Sequence, residues 1–341
     1  MIVPANPAPL SRYPPISMKN GELALIDQIR ATFAHRPTPT IPLGIGDDCA
    51  ILRPPPGHEL LVTTDFTLEG RHFRRDLHPA ASVGHRCLAR GLSDLAAMGA
   101  TPLAAFLSLA LPAGLPTTAK GRRWIASFLE GLHTLAQSAK VTLAGGDTSQ
   151  SPSDHILADI ILIGTAPTGT ALRRSTARPG DHIHVTGQLG GSAAELQTLL
   201  TGKRIHPTQT SPHFYPTPRL KQGLHLRSQK LATACIDLSD GLSTDLTHLC
   251  ESSRVRAEIE AAALPIHPKA TFNLAVNGGE DYELLFTAAP ATRIPKQIAG
   301  VPITRVGTIH RASRARPQIT VLNPDGTTHP LKAGGWEHFK A

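Results

Sequence analysis

The stretch "ASVGHRCLARGLSDLAAMGA", residues Ala81–Ala100, decides the fold. Val83, Cys87 and Leu88, then Leu95 and Met98, fall on related faces at helical spacing. Gly99 stops that helix, and "LAAFLSLAL" (Leu103–Leu111) follows at once as a buried strand. The alternation continues outward on both sides. Upstream, "ELALIDQIRATF" (Glu22–Phe33) has helical spacing, and "ELLVTTDF" (Glu59–Phe66) is a β-rich run ending near a carboxylate. Downstream, a helix is expected from about Thr117 to Ala139. Strands "VTLAGGDT" (Val141–Thr148) and "HILADIILIGTA" (His155–Ala166) follow it. Strands and helices in alternation predict layered α/β units.

Loop-like sequence after the last of these strands places a domain boundary near Pro167. The pattern then restarts with the strand "HIHVTG" (His182–Gly187), a Gly-rich turn and the helix "SAAELQTLL". A helix near Pro218–Ser228, the strand "ACIDL" and the helix "LSTDLTHLCESS" come next. Strands near "RAEIE", "YELLFT", "ITRVGTI" and "PQITVL" complete the chain. The expected division is a disordered Pro-rich extension over 1–18, an N-terminal α/β domain over 19–166 and a C-terminal α/β domain over 167–341. The class is α/β (α+β), with no short-period repeat.

Composition narrows the function. With 40% hydrophobic and 18% charged residues the chain reads as globular. Its formal charge of +8 is scattered in Arg pairs rather than in a run, and aromatic content of 4% is thin for stacking on single-stranded nucleic acid. Small anionic ligands fit that balance, and no nucleic-acid partner is expected. Cys49, Cys87, Cys235 and Cys250 lack CxxC spacing and sit in apolar contexts, so they read as reduced core cysteines of a cytoplasmic protein. No signal peptide and no membrane span is expected.

The chemistry lies in a positional pattern. Carboxylates recur where strands or turns end: Asp47 and Asp48, Asp65, Asp94, Asp147, Asp237 and Asp240, each beside Gly, Ser or Thr. Each alone has an ordinary explanation. "SDL" at Ser93–Asp94 could face water, "SDG" at Ser239–Gly241 could be a helix cap, and "GGDTS" could be a plain turn. Gathered at one place they could not all stay ionised without cations. Oxygen donors with hydroxyl neighbours and no His/Cys cluster suit Mg²⁺, which binds through few carboxylates plus phosphate and water. That predicts a site for a polyphosphate with several Mg²⁺. The sequence holds no P-loop motif. "TGQLGGSAAEL" (Thr186–Leu196) offers a Gly-rich helix start, usable by an anion or explained by close packing.

In order along the chain, "GIGDDCAIL", "TTDFTLEGRHF", "LSDLAAMGATP", "AGGDTS", "RRSTARPGDHIHVTG", "IDLSDGLSTDL", "NGGEDYELLFT" and "GGWEHF" resemble the thiamine-monophosphate kinase family from about Gly21 to Phe339. "GDD" and "SDG" alone occur across the wider superfamily of aminoimidazole-ribonucleotide synthetase. The resemblance implies a two-domain synthetase-like fold in a homodimer, with the N-terminal domain contributing to an intersubunit β-barrel. It implies transfer of a phosphoryl group from ATP to thiamine monophosphate with several Mg²⁺. Metal ligands would fall on Asp48, Thr63, Thr64, Asp65, Asp94, Asp147, Asp237 and Asp240. ATP contacts would fall on Gly146, Asp147, Arg174 and Ser239, with Arg174 an added charge stabiliser. Substrate contacts would fall on His72, Glu280 and Trp336. "GGDTS" stands where "GGDTT" is commoner, Thr176 where Gly is usual, and Trp336 where Tyr is usual.

No general base is expected. The acceptor is a phosphate monoester whose second pKa is about 6, so its oxygen is ionised near neutrality. A cyclo-ligase of the same superfamily and a nucleotide-binding regulatory dimer that no longer catalyses are the alternatives.

Overall fold

The computed structural model describes residues 22–335 apart from His35 and Arg314. The predicted extension over 1–18 lies outside the described residues, as does Trp336.

Two sheets organise the chain. Helix α1 (Glu22–Thr32) precedes β1 (His58–Leu68), α2 (Ala80–Ala97), β2 (Thr101–Leu111), α3 (Ala119–Ala139), β3 (Thr142–Gln150) and β4 (Leu157–Pro167). The first sheet has the order β1-β4-β2-β3. Helices α2 and α3 return the chain so that β1, β2 and β3 run in one direction, but only β2 and β3 are parallel neighbours, since β4 lies between β1 and β2. Then come β5 (His182–Thr186), α4 (Gly191–Leu200), α5 (Leu220–Ser228), β6 (Ala234–Asp237), α6 (Leu242–Ser253) and β7 (Val255–Glu260). The chain continues through α7 (Phe272–Asn277), β8 (Leu284–Ala288), β9 (Gln297–Ile298), β10 (Val301–Arg311), β11 (Ile319–Leu322) and β12 (Thr328–Pro330). The second sheet has the order β12-β11-β7-β10-β5-β8-β6, with β9 on β10.

The mixed α/β expectation holds, and most neighbouring strands pair antiparallel. In the second sheet only β11 and β7 are parallel. The helices do return the chain so that β5, β6 and β7 run in one direction, but β10 and β8, which run the opposite way, lie between them in the sheet.

Helix α2 is buried along nearly its whole length, which explains why its apolar residues spread over more than one face. It lies on the first sheet and against α3. At that contact Gly84 and Gly131 let the helices meet backbone to backbone. A Cβ on Gly84 would stand 1.8 Å from the Phe128 carbonyl, and one on Gly131 would stand 1.9 Å from that of Ala81. The other end of α2 abuts the second half: a Cβ on Gly223 of α5 would meet the Ala96 carbonyl at 1.9 Å. Arg227 Nε donates to the Gly99 carbonyl at 2.7 Å. Each sheet has its own apolar core, and a third cluster joins Ala96 and Ala97 to Leu226, Leu284 and Phe286.

Strand β1 alternates strictly. Leu61, Thr63, Asp65 and Thr67 turn inward, while Leu60, Val62, Thr64 and Phe66 turn outward. Val62 and Phe66 are 64% and 60% exposed, an apolar strip facing away from α2. Cysteines 87, 235 and 250 are buried as expected, but Cys49 is exposed because it sits in the acidic turn rather than in the core.

Candidate active site

Asp65 on β1 and Asp94 on α2 face Asp237 at the end of β6 and Asp240 beyond it, across the junction of the two halves. The cavity between them has a volume of about 510 Å³, and His72, Arg90, Ser239, Glu280 and Tyr282 also line it.

The acidic wall is built from buried hydroxyl contacts. Ser93 Oγ donates to Asp237 Oδ2 at 2.6 Å, and the Thr63 hydroxyl donates to Asp94. Ser93 is fully buried, so "SDL" does not face water. Burial, with Asp94 nearby, pushes the Asp237 carboxyl up to about 7. Burial likewise raises Asp65 to about 6, against the opposing charge of Arg90. Burial also raises Asp94, while the Thr63 hydroxyl and Arg174 oppose the shift. The nearby charges of Arg90 and Arg174 do not outweigh burial at Asp65 and Asp94.

"SDG" is not consumed as a cap either. Helix α6 is capped from within by Asp245, whose Oδ2 accepts from the backbone N–H of Asp240 and of Gly241 at 3.1 Å each. The Asp240 side chain therefore lines the cavity. Across from it, "GGED" forms an irregular link between α7 and β8. Glu280 and Tyr282 take left-handed backbone angles, φ 64° and 51°. Their N–H groups donate to the carbonyls of Ser239 at 2.8 Å and Leu238 at 2.9 Å. Non-glycine residues in that region are uncommon and cluster at functional sites. The hairpin turn that was the plain alternative for this segment is absent.

Glu280 is held by cations the sequence reading missed. Arg86 Nη2 donates to both its carboxylate oxygens at 2.6 Å, and Arg90 Nη1 donates to Oε1 at 3.2 Å. Burial alone would raise this carboxyl, but Arg86, His213 and Arg90 outweigh it and hold it at about 2. Arg86 Nη1 also donates to His213 Nε2 at 3.0 Å, which makes that nitrogen an acceptor. His213 Nδ1 then donates to Ser192 Oγ at 3.1 Å. His78 Nε2 lies 3.0 Å from His213 Nε2, and its Nδ1 lies 3.1 Å from both the N–H and the carbonyl of Arg74. Both rings are neutral. Burial and the Arg86 charge lower His213 to about 2 and His78 to about 4. A signal for Arg86 and Arg90 was present: with Asp94 they recur every four residues on one face of an otherwise apolar helix.

His72 lines the cavity, its ring Nδ1 accepting from the Leu68 N–H at 2.9 Å. Arg174 is exposed. Thr64 departs from expectation: strand alternation turns its hydroxyl to the outer face, where it donates to Asp159 at 2.7 Å. Asp48, Gly146 and Asp147 do not line the cavity. Asp147 is exposed on β3, at the edge of the sheet. Ile41, Ala50 and Leu52 around the acidic turn pack with Ala104, Ala144 and Phe106 of β2 and β3, so Asp47 and Asp48 ride on that same side. Asp47 Oδ1 accepts the Asp48 N–H at 2.8 Å, which orients the turn.

The Gly-rich start of α4 is not open to an outside anion. Asp281 fills it, accepting from the N–H of Gly190 at 2.7 Å and of Ser192 at 3.4 Å. Although Trp336 lies outside the described residues, the chain just before it is docked beside the cavity. Gly335 N–H donates to Thr244 Oγ1 at 3.1 Å, and a Cβ there would lie 1.9 Å from the Asp240 carbonyl.

Among the described residues no three His, Cys, Asp or Glu side chains are grouped closely enough to hold an ion by themselves. The donors facing the cavity are carboxylate and hydroxyl oxygens. These fit Mg²⁺, which completes its shell with water and phosphate oxygens.

Residues 46–166 match the family model for the AIR synthase related protein, N-terminal domain. The chain is 38% identical over 343 aligned positions to thiamine-monophosphate kinase of Escherichia coli strain K12, covering 94% of this chain and 99% of that protein. The chain belongs to the thiamine-monophosphate kinase family. The crystal structure of the family's member from Stenotrophomonas maltophilia K279a is 36% identical with a TM-score of 0.76, over 93% of this chain and 98% of that one. A structure described as AaThiL complexed with AMPPCP and TMP is 30% identical with a TM-score of 0.72, over 95% and 100% of the two chains. Among the described residues no helix is long and apolar enough to cross a membrane.

Proposed function

We propose that the chain transfers the γ-phosphoryl group of ATP directly to thiamine monophosphate, giving ADP and thiamine diphosphate. The observation that carries this is the convergence of Asp65, Asp94, Asp237 and Asp240 on one cavity with Glu280 and His72, in a chain of this family.

The acceptor oxygen needs no base, since a phosphate monoester is largely ionised near pH 7. The obstacle is repulsion between two phosphates, which grows as water is excluded. Bound Mg²⁺ would neutralise that charge and align the attacking and leaving oxygens. Asp65, Asp94, Asp237 and Asp240 would hold it from the cavity wall, with Thr63 orienting Asp94. Asp48, on the turn packed against β2 and β3, and Asp147 on β3 are proposed for the nucleotide side together with Gly146. Arg174 supplies a cation whose field reaches Asp94. Ser239 is proposed for ATP, and His72, Glu280 and Trp336 for the thiamine end. The raised carboxyl groups of the wall support this reading: they are the groups that gain most from a bound cation.

The division into domains over 19–166 and 167–341 is proposed from the two sheets and their separate cores. A homodimer closed through the outer face of β1 is proposed from its exposed Leu60, Val62 and Phe66. A cytoplasmic location is proposed from the three buried free thiols.

The test is an assay of thiamine diphosphate formation from ATP, Mg²⁺ and thiamine monophosphate, run beside formylglycinamidine ribonucleotide as the competing acceptor. Thiamine diphosphate formed in proportion to ADP is the expected result. ADP release with only the ribonucleotide, or no turnover with either, overturns the reading.

A further inference from the structure

Arg90 stands between the two ends of the cavity. Its Nη2 lies 3.5 Å from Asp65 Oδ1 on the acidic wall. Its Nη1 reaches Glu280 Oε1 at 3.2 Å and the Tyr282 hydroxyl at 3.3 Å on the opposite side. None of these is a tight pair, since charge-assisted N–H···O⁻ bonds run at about 2.7–2.9 Å. Glu280 already has its counter-ion in Arg86, which grips both oxygens at 2.6 Å. Two guanidiniums therefore face one Glu280 carboxylate, and the second is under-committed. Arg90 Nε is moreover buried without a hydrogen-bond partner, a cost that a purely structural ion pair has no reason to carry.

We propose that Arg90 is a binding residue for the phosphate of the acceptor, its Nη groups receiving the monoester dianion between the acidic wall and Glu280. The proposal rests on the functional reading above and adds the group that recognises the acceptor's charge. Position supports it. If the nucleotide's phosphates are held at the Asp65–Asp94–Asp237 wall and the organic end of the acceptor lies towards Glu280 and His72, the acceptor phosphate lies between them. Arg90 is in contact with both flanks, through Asp65 and Glu280. A planar fork suits the task, because it presents two donors to one phosphate while keeping a fixed orientation.

The test is calorimetric titration of the full chain with thiamine monophosphate and with unphosphorylated thiamine, at fixed Mg²⁺ and with a non-hydrolysable ATP analogue present. Arg90→Gln is expected to weaken thiamine monophosphate about 10- to 100-fold and to leave thiamine within about two-fold. Unchanged binding of thiamine monophosphate, or an equal loss for both ligands, overturns the proposal. Should Arg90→Gln not fold, Arg90→Lys decides. It keeps the charge without the fork, so a partial loss confined to the phosphorylated ligand supports the assignment, and unchanged discrimination rejects it. A wild-type chain that binds thiamine no less tightly than its phosphate overturns the functional reading along with the proposal. Wild-type discrimination that survives in both variants overturns the proposal alone.

Discussion

Glu280 is a carboxylate whose ionisation depends on its neighbours. Arg86, 3% exposed, makes both of its short contacts, so removing Arg86 leaves a mostly desolvated carboxylate with only the longer contact from Arg90. Arg86→Leu should cost about 3–5 kcal/mol, while Arg86→Leu combined with Glu280→Leu should recover much of it. Urea denaturation of the two variants checks this. The adjoining His pair gives a pH signature. His78 is lowered to about 4 from an ordinary 6.5, so the unfolded chain binds its proton first. The stability it confers is therefore present above 6.5 and is lost as the pH falls towards 4, by up to about 3 kcal/mol. Asp65 and Asp237 act in the opposite sense, since their raised values favour the native state when protonated. The contribution of His78 is thus read as a difference: between pH 6.5 and 4 the wild type should lose more stability than His78→Gln, and parallel curves would refute the buried neutral ring. At this scale the acidic residues were legible because Asp beside Gly or Ser at strand ends stands out. Arg86, His78 and His213 were not, because their meaning rests on partners more than 100 residues away.

Helices and strands carry the local pattern, and the long ones appeared within a few residues of where periodicity placed them. Helix α7, with six residues, and β9, with two, were missed because neither is long enough to show a period. Strand pairing was not legible either. Helical crossovers give β5, β6 and β7 one direction, but the insertion of β8 and β10 between them is settled by long-range packing. What fixes one such packing is the seam between α2 and α3. Gly84→Ala should force the two helices apart and lower stability by about 3 kcal/mol or more, visible in thermal melting. An equal replacement at Gly114, where a Cβ meets nothing within 4 Å, should cost little.

For the whole molecule, the sequence grouped all the acidic turns into one site, and four of those carboxylates line one cavity. Asp65, Asp94, Asp237 and Asp240 share it, while Asp48 sits on the turn packed against β2 and β3 and Asp147 on β3. Linear order carries no distances, so which carboxylates line that cavity could not be read in advance. The outer face of β1 makes a prediction about assembly. Val62→Lys should convert a dimer into a monomer in sedimentation velocity, since a charge there faces an apolar surface if two copies meet. Identical masses for the variant and the wild type would refute that interface. Finally, α2 is shared property. It packs on the first sheet along most of its length, joins β6 through Ser93, and is abutted by α5 at Ala96. Two cores of separate composition would ordinarily be free to melt in two steps. Here neither can loosen without dragging on the same helix. The chain should therefore lose its structure in a single heat-absorption peak, with the α2 amides among the last to exchange with deuterated solvent.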